Sequence, residues 1–140
     1  MRSDPLTSTW FLLLTAVGTL PGCDDGRVQT VPVNGVVRFA DGEPVRTGTI
    51  EFESQVHGTT SASRIGQEGE FSLTTYVADD GAPVGEHKVI VVQLVIDDGT
   101  VQHAVDHGRG VPPKFRSYDT TPLRETVSEA GDEGILIVLE

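Results

Sequence analysis

Cysteine is almost missing from this chain: Cys23 is the single one among 140 residues. No internal disulfide is available, so the fold must hold by burial. Clusters of positive charge are missing too. Lys and Arg number 10 against 21 Asp and Glu, a formal net charge of −11, and the cations are scattered. A nucleic-acid partner needs a concentrated positive footprint to displace counterions from phosphate, which excludes that class. An anionic membrane surface repels such a chain for the same reason. No repeat of fixed period is visible, which excludes solenoids and propellers. Nucleophile elbows, phosphate loops and HExxH or HxxE zinc motifs are all absent. Helical i, i+3, i+4 periodicity is absent from Val31 onward.

What is present begins with an address. Trp10–Leu20, "WFLLLTAVGTL", is an apolar run of 11 residues behind a short segment carrying Arg2. It is too short for the ~20 residues that cross about 30 Å of hydrocarbon as a helix. It has the length of a signal-peptide core. Leu20-Pro21-Gly22-Cys23 follows, and this box resembles the processing site of bacterial lipoproteins: an aliphatic residue, two small residues, then cysteine. Pro21 departs from the usual small residue. The resemblance implies that cleavage leaves Cys23 as a new amino terminus, thioether-linked to diacylglycerol; an ordinary cleaved signal, or a buried cysteine in a packed helix, is the alternative. One acyl chain binds membranes only marginally, and no polybasic patch is available as a second signal, so several acyl chains on one cysteine would meet the need. Expected boundaries are a signal at 1–22, a lipidated cysteine and tether at 23–31, and a folded domain at 32–140.

The rest of the chain alternates with period two between Gly, Pro and Asp turns, a pattern of short strands. "VPVNGVVRF" puts Val33, Val37 and Phe39 on one face, and "ADGEPV" supplies the tight-turn pair Asp41-Gly42. "GTIEFES" turns Ile50 and Phe52 inward and Glu51 and Glu53 outward, and "FSLTTYV" does the same for Phe71, Leu73 and Thr75. "HKVIVVQLVI" is β-branched on both faces, which predicts a central strand. With "TSASRI", Leu123–Val127 and "GILIVLE" the total is about seven strands. Turn signals every ~8–12 residues predict an all-β, antiparallel Greek-key sandwich. A domain of this length buries roughly two-thirds of its unfolded surface, enough for one core.

The order of these pieces is similar to that of small bacterial lipoproteins with a transthyretin-like (carboxypeptidase-regulatory-like) β-sandwich. "VPVNGVVRFADGEPVRTGTIEF" resembles the family's opening hairpin. "GQEGEFSLTT" resembles its turn-then-strand element, with Glu68 where aspartate is usual. "DDGAPVGEHKVIV" resembles its lead-in to the central strand, with His87 in place of tyrosine, and "VPPKFRSYDTTPLRETV" its proline-rich segment. The resemblance spans roughly residues 30–140. It implies a cell-envelope protein, lipid-anchored with its domain facing the periplasm or exterior, without a cofactor and acting as a structural or binding module rather than an enzyme. Its expected partners are the membrane, through the lipid on Cys23, and an envelope protein or glycan. The hydrolase of 5-hydroxyisourate that shares such folds ends in a Tyr-Arg-Gly-Ser signature; this chain ends in "GILIVLE".

Three stretches hold candidate site residues. His103, Asp106 and His107 in "HAVDHG" bring two imidazoles and a carboxylate within five residues, an incomplete set for zinc, which takes four ligands or three plus water. A solvated loop is the other reading, and divalent-metal or carbohydrate binding is the alternative function. Asp79-Asp80 and Asp97-Asp98 lack the spacing of a calcium loop and read as turn chemistry. "GRGVPPKFRSYD" gathers Arg109, Lys114, Phe115, Arg116 and Tyr118, the one locally basic stretch with aromatics. It is either a docking segment for a partner or glycan, or a crossover pinned to the sandwich by Phe115.

Overall fold

A computed structural model describes residues 26–94 and 107–140. The expected signal, Cys23, Asp97-Asp98, His103 and Asp106 lie outside the described residues. Among the described residues the chain forms nine strands and no α-helix. They are β1 (Thr30–Val31), β2 (Val33–Phe39), β3 (Thr49–Ser54), β4 (Thr60–Arg64), β5 (Glu70–Ser72), β6 (Ala82–Pro83), β7 (Gly85–Val92), β8 (Arg124–Val127) and β9 (Asp132–Leu139). A single 3-10 turn, Pro113–Phe115, interrupts them. Setting aside the two-residue β1 and β6 leaves seven strands, as the alternation predicts.

The strands assort into a three-stranded sheet, β5-β2-β9, a four-stranded sheet, β4-β3-β7-β8, and the small pair β1-β6. Alternation selects what each sheet buries. Val33, Val37 and Phe39 of β2 and Ile50 and Phe52 of β3 point into one core, with Phe71, Leu73, Val89, Val91, Ile137 and Leu139. Phe52 and Phe71, from different sheets, meet with ring centroids 6.1 Å apart at 46°. The two larger sheets thus share one apolar interior, an all-β, sandwich-like arrangement. β7 lies between β3 and β8, and Ile90 on its outer face is buried along with Val89 and Val91 inside, which accounts for its two-sided hydrophobicity. Thr30 and Val31, the last residues of the expected tether, pair with Pro83 and Ala82.

Three expectations need correction. The ladders are antiparallel except one: β9 runs parallel to β2 in the register Val36↔Leu136, Val37↔Ile137 and Phe39↔Leu139. No hairpin joins these strands. The chain reaches β9 from β8, in the other sheet, through a turn in which Asp132 accepts from the Ser128 amide at 2.6 Å. Neighbours that are not joined by a tight turn are free to run parallel.

The anticipated β2–β3 hairpin is absent as well. Asp41-Gly42 does make a tight turn (Gly42 φ +89°), but the return segment makes a single bridge, Arg38 to Pro44, flanked by bonds at Glu43 and Val45. Beyond Val45 the chain crosses to the other sheet. Finally, "FSLTTYV" is a strand only to Ser72. Thr74 exchanges hydrogen bonds with Ala62 of β4, so the segment changes sheets, and Thr75 turns away to bond the Gly81 carbonyl at 2.6 Å.

Candidate functional site

Of the sequence-derived candidates, the structure describes the Arg109–Tyr118 segment and His107. Each side chain can therefore be followed to what it touches. Arg109 forks onto Asp41, its guanidinium nitrogens 2.8 and 3.1 Å from the two carboxylate oxygens, and stacks 3.8 Å from the centroid of the Phe39 ring. The hydrogen bond from Arg109 holds the Asp41 carboxyl below the usual carboxylate range, helped by the Glu43 amide. The tight turn after β2 is thus tied to a segment 68 residues downstream.

Val111 and Phe115 are each 1% exposed and belong to the core. The backbone reaches them through Gln93, buried one residue past β7. Its carbonyl oxygen accepts from the Val111 amide and its amide nitrogen donates to the His107 carbonyl, both at 3.0 Å. An unpaired buried amide costs about 1–3 kcal/mol, so both ends of Gln93 are needed. Arg116 folds back on the Val111 carbonyl, and Lys114 lies 4.8 Å from the Phe115 ring centroid. Tyr118 extends the other way and donates to Glu51 of β3 at 3.2 Å. Burial raises its phenol well above the ordinary value, and the negative charge of Glu51 adds to this.

These five side chains do not converge. Arg109 grips the β2 turn, Phe115 fills the core and Tyr118 reaches the outer face of the four-stranded sheet. The segment is built as a strap, the structural alternative of the two readings. Lys114 and Arg116 remain exposed on its outside. Beside it, Gln93, Leu94, His107, Gly108, Gly110 and Arg116 line an open groove of ≈ 400 Å³. Among the described residues no group of three His, Cys, Asp or Glu is arranged to hold a metal ion.

Sequence reasoning assigned no role to His87. It is fully buried on the inward phase of β7, its ring centroid 5.8 Å from that of Phe52. Its Nδ1–H donates to the Gly85 carbonyl at 2.9 Å, which fixes the neutral tautomer and leaves Nε2 as a bare acceptor. Among the described residues Nε2 has no hydrogen-bond partner. Burial lowers the pKa of the ring, against the opposing pull of the Gly85 carbonyl. A polar side chain in register with Val89 and Val91 was the available signal.

Near neutral pH both folded and unfolded chains hold this histidine uncharged. Below about 6.5 the unfolded chain takes up a proton that the folded one resists. Stability should therefore fall as pH drops through the low sixes and fives. His87→Phe, which keeps the packing on Phe52, should flatten that part of a melting-temperature profile. An unchanged slope would show that another group is responsible. Glu125, paired with His87 in the β7–β8 ladder, is raised by burial and works in the opposite sense at lower pH.

Asp80 is the other residue with a built environment. Burial pushes its carboxyl up, but amides of Thr75, Tyr76 and Val77 at 2.6 to 3.1 Å outweigh it and lower the pKa. All three bonds serve its own turn, which agrees with the reading as turn chemistry. Comparison with protein-family models, curated proteins and solved structures found no match.

Proposed function

We propose that this chain is a lipid-anchored bacterial envelope protein whose β-sandwich, of Greek-key, transthyretin-like type, serves as a non-catalytic structural or binding module. One observation carries the reading. The only cysteine follows a signal-length apolar run and a Leu-Pro-Gly box, and stands a few residues before the first strand at Thr30. The lipid on Cys23 would supply the membrane attachment that a chain of net charge −11 does not gain from anionic headgroups.

The strap supports the non-catalytic part. Arg109 is engaged with the β2 turn, Phe115 with the core and Tyr118 with β3, a use of these side chains that agrees with a structural role. The partners this reading admits are the membrane and an envelope protein or glycan. Metabolic labelling with radioactive palmitate in a bacterial host tests the anchor. The wild-type chain should take up label and Cys23→Ala should lose it; label retained by the variant would overturn the assignment.

A further inference from the structure

β9 is an edge strand of unusual composition. Among the described residues it pairs only with β2, and no backbone hydrogen bond is made on its other side. From Gly134 to Leu139 it carries no charge, no proline and five consecutive aliphatic residues. Exposed edges are normally blunted by charge, proline or a bulge, because their free amides and carbonyls template another strand. Here the one register irregularity places an extra residue on β9 between Asp132 and Ile135, where Gly134 has φ +75°, and leaves Ile135–Leu139 regular. Leu136 is 55% exposed.

Which groups face outward follows from one bond. The Leu139 carbonyl accepts from the Ala40 amide, so Leu139 points its backbone toward β2. Backbone groups in a strand alternate in direction, so Ile137 and Ile135 do the same. Leu136 and Val138 then present their amides and carbonyls at the open edge.

We propose that this edge pairs with β9 of a second copy, antiparallel about Ile137. In that register Leu136 and Val138 of one copy stand opposite Val138 and Leu136 of the other. Each pair exchanges two backbone hydrogen bonds, and the two three-stranded sheets join into one. Charge disfavours one neighbouring register. A two-fold centred on Leu136 instead would set Asp132 directly against Glu140 of the second copy, a like-charge pair that destabilises a sheet. Centring on Ile137 sets Glu140 against Gly134, and no carboxylate stands opposite another. The neighbouring groove of ≈ 430 Å³, lined by Lys114, Leu123, Arg124, Val138 and Glu140, leaves room along the edge. Its two cations offset the acidic end of the second strand.

Sedimentation equilibrium of the full chain in density-matched detergent tests this. The wild-type chain should dimerise, more tightly with added salt because the net charge of −11 opposes association. Val138→Pro removes an outward amide twice per dimer without taking a bond from β2. It should weaken dimerisation by about tenfold or more. Leu136→Lys, at a site already exposed, should do the same while leaving the fold intact. A monomeric wild type, or a dimer unaffected by both substitutions, overturns the proposal.

Discussion

Truncating Phe115 to alanine is expected to cost about 3–5 kcal/mol, the largest effect of any single change in the Arg109–Tyr118 segment. The side chain is 1% exposed, and it enters the core from a 3-10 turn whose ends are pinned by Gln93 and Thr121. The Thr121 hydroxyl donates to the Val89 carbonyl at 2.6 Å, so the backbone on that side is bonded to β7 and cannot readily collapse into the void. A cavity that does not close is what pushes a Phe→Ala cost toward its upper range. Chemical denaturation should show the loss as a lower midpoint at similar slope. Lys114→Ala, one residue away and exposed, should stay within about 0.5 kcal/mol. A small effect of Phe115→Ala would mean that the ring is free to serve as a partner contact, and the strap would have to be read as a docking segment.

Gly35→Ala should be comparably damaging for a different reason. A Cβ at this position would stand 2.2 Å from the backbone oxygen of Ile135, in the parallel pair that joins β2 to β9. The obstructing atom belongs to the neighbouring main chain and cannot rotate away. Overpacking costs about 1–3 kcal/mol when side chains relieve it, and more when they cannot. A loss of about 3 kcal/mol is expected, lowering the melting temperature by roughly 10 °C or more. Gly110→Ala is the control, because nothing lies within 4 Å of a Cβ there. Equal melting temperatures for the two variants would contradict the β2–β9 register, and the proposed pairing of β9 with a second copy would fall with it.

The inward residues of β2 and β3 were legible because period-two alternation survives wherever one face of a sheet is buried and the other is wet. β7 was legible as central because its second face is apolar as well. What alternation does not encode is partner choice. "VVRFADGEPV" looks like half a hairpin by its turn chemistry, yet the chain leaves for the other sheet after Val45. The parallel β2–β9 pair is set by residues a hundred positions apart, and nothing local in either strand records direction.

The strap was half legible. Its aromatics marked Phe115 as an anchor, while Gln93, which holds both Val111 and His107, sits in a stretch that reads only as strand. His87 passed unassigned because one imidazole in an apolar strand has no motif; its meaning lies in burial and in the Gly85 carbonyl.

The claim on which the functional account turns is chemical and sits at Cys23. Intact mass and peptide mass spectrometry of the protein extracted from bacterial membranes address it directly. The account predicts that residues 1–22 are gone and that Cys23 begins the chain with a diacylglyceryl thioether. A chain that retains Met1–Gly22, or one that starts near this point with an unmodified thiol, would contradict it.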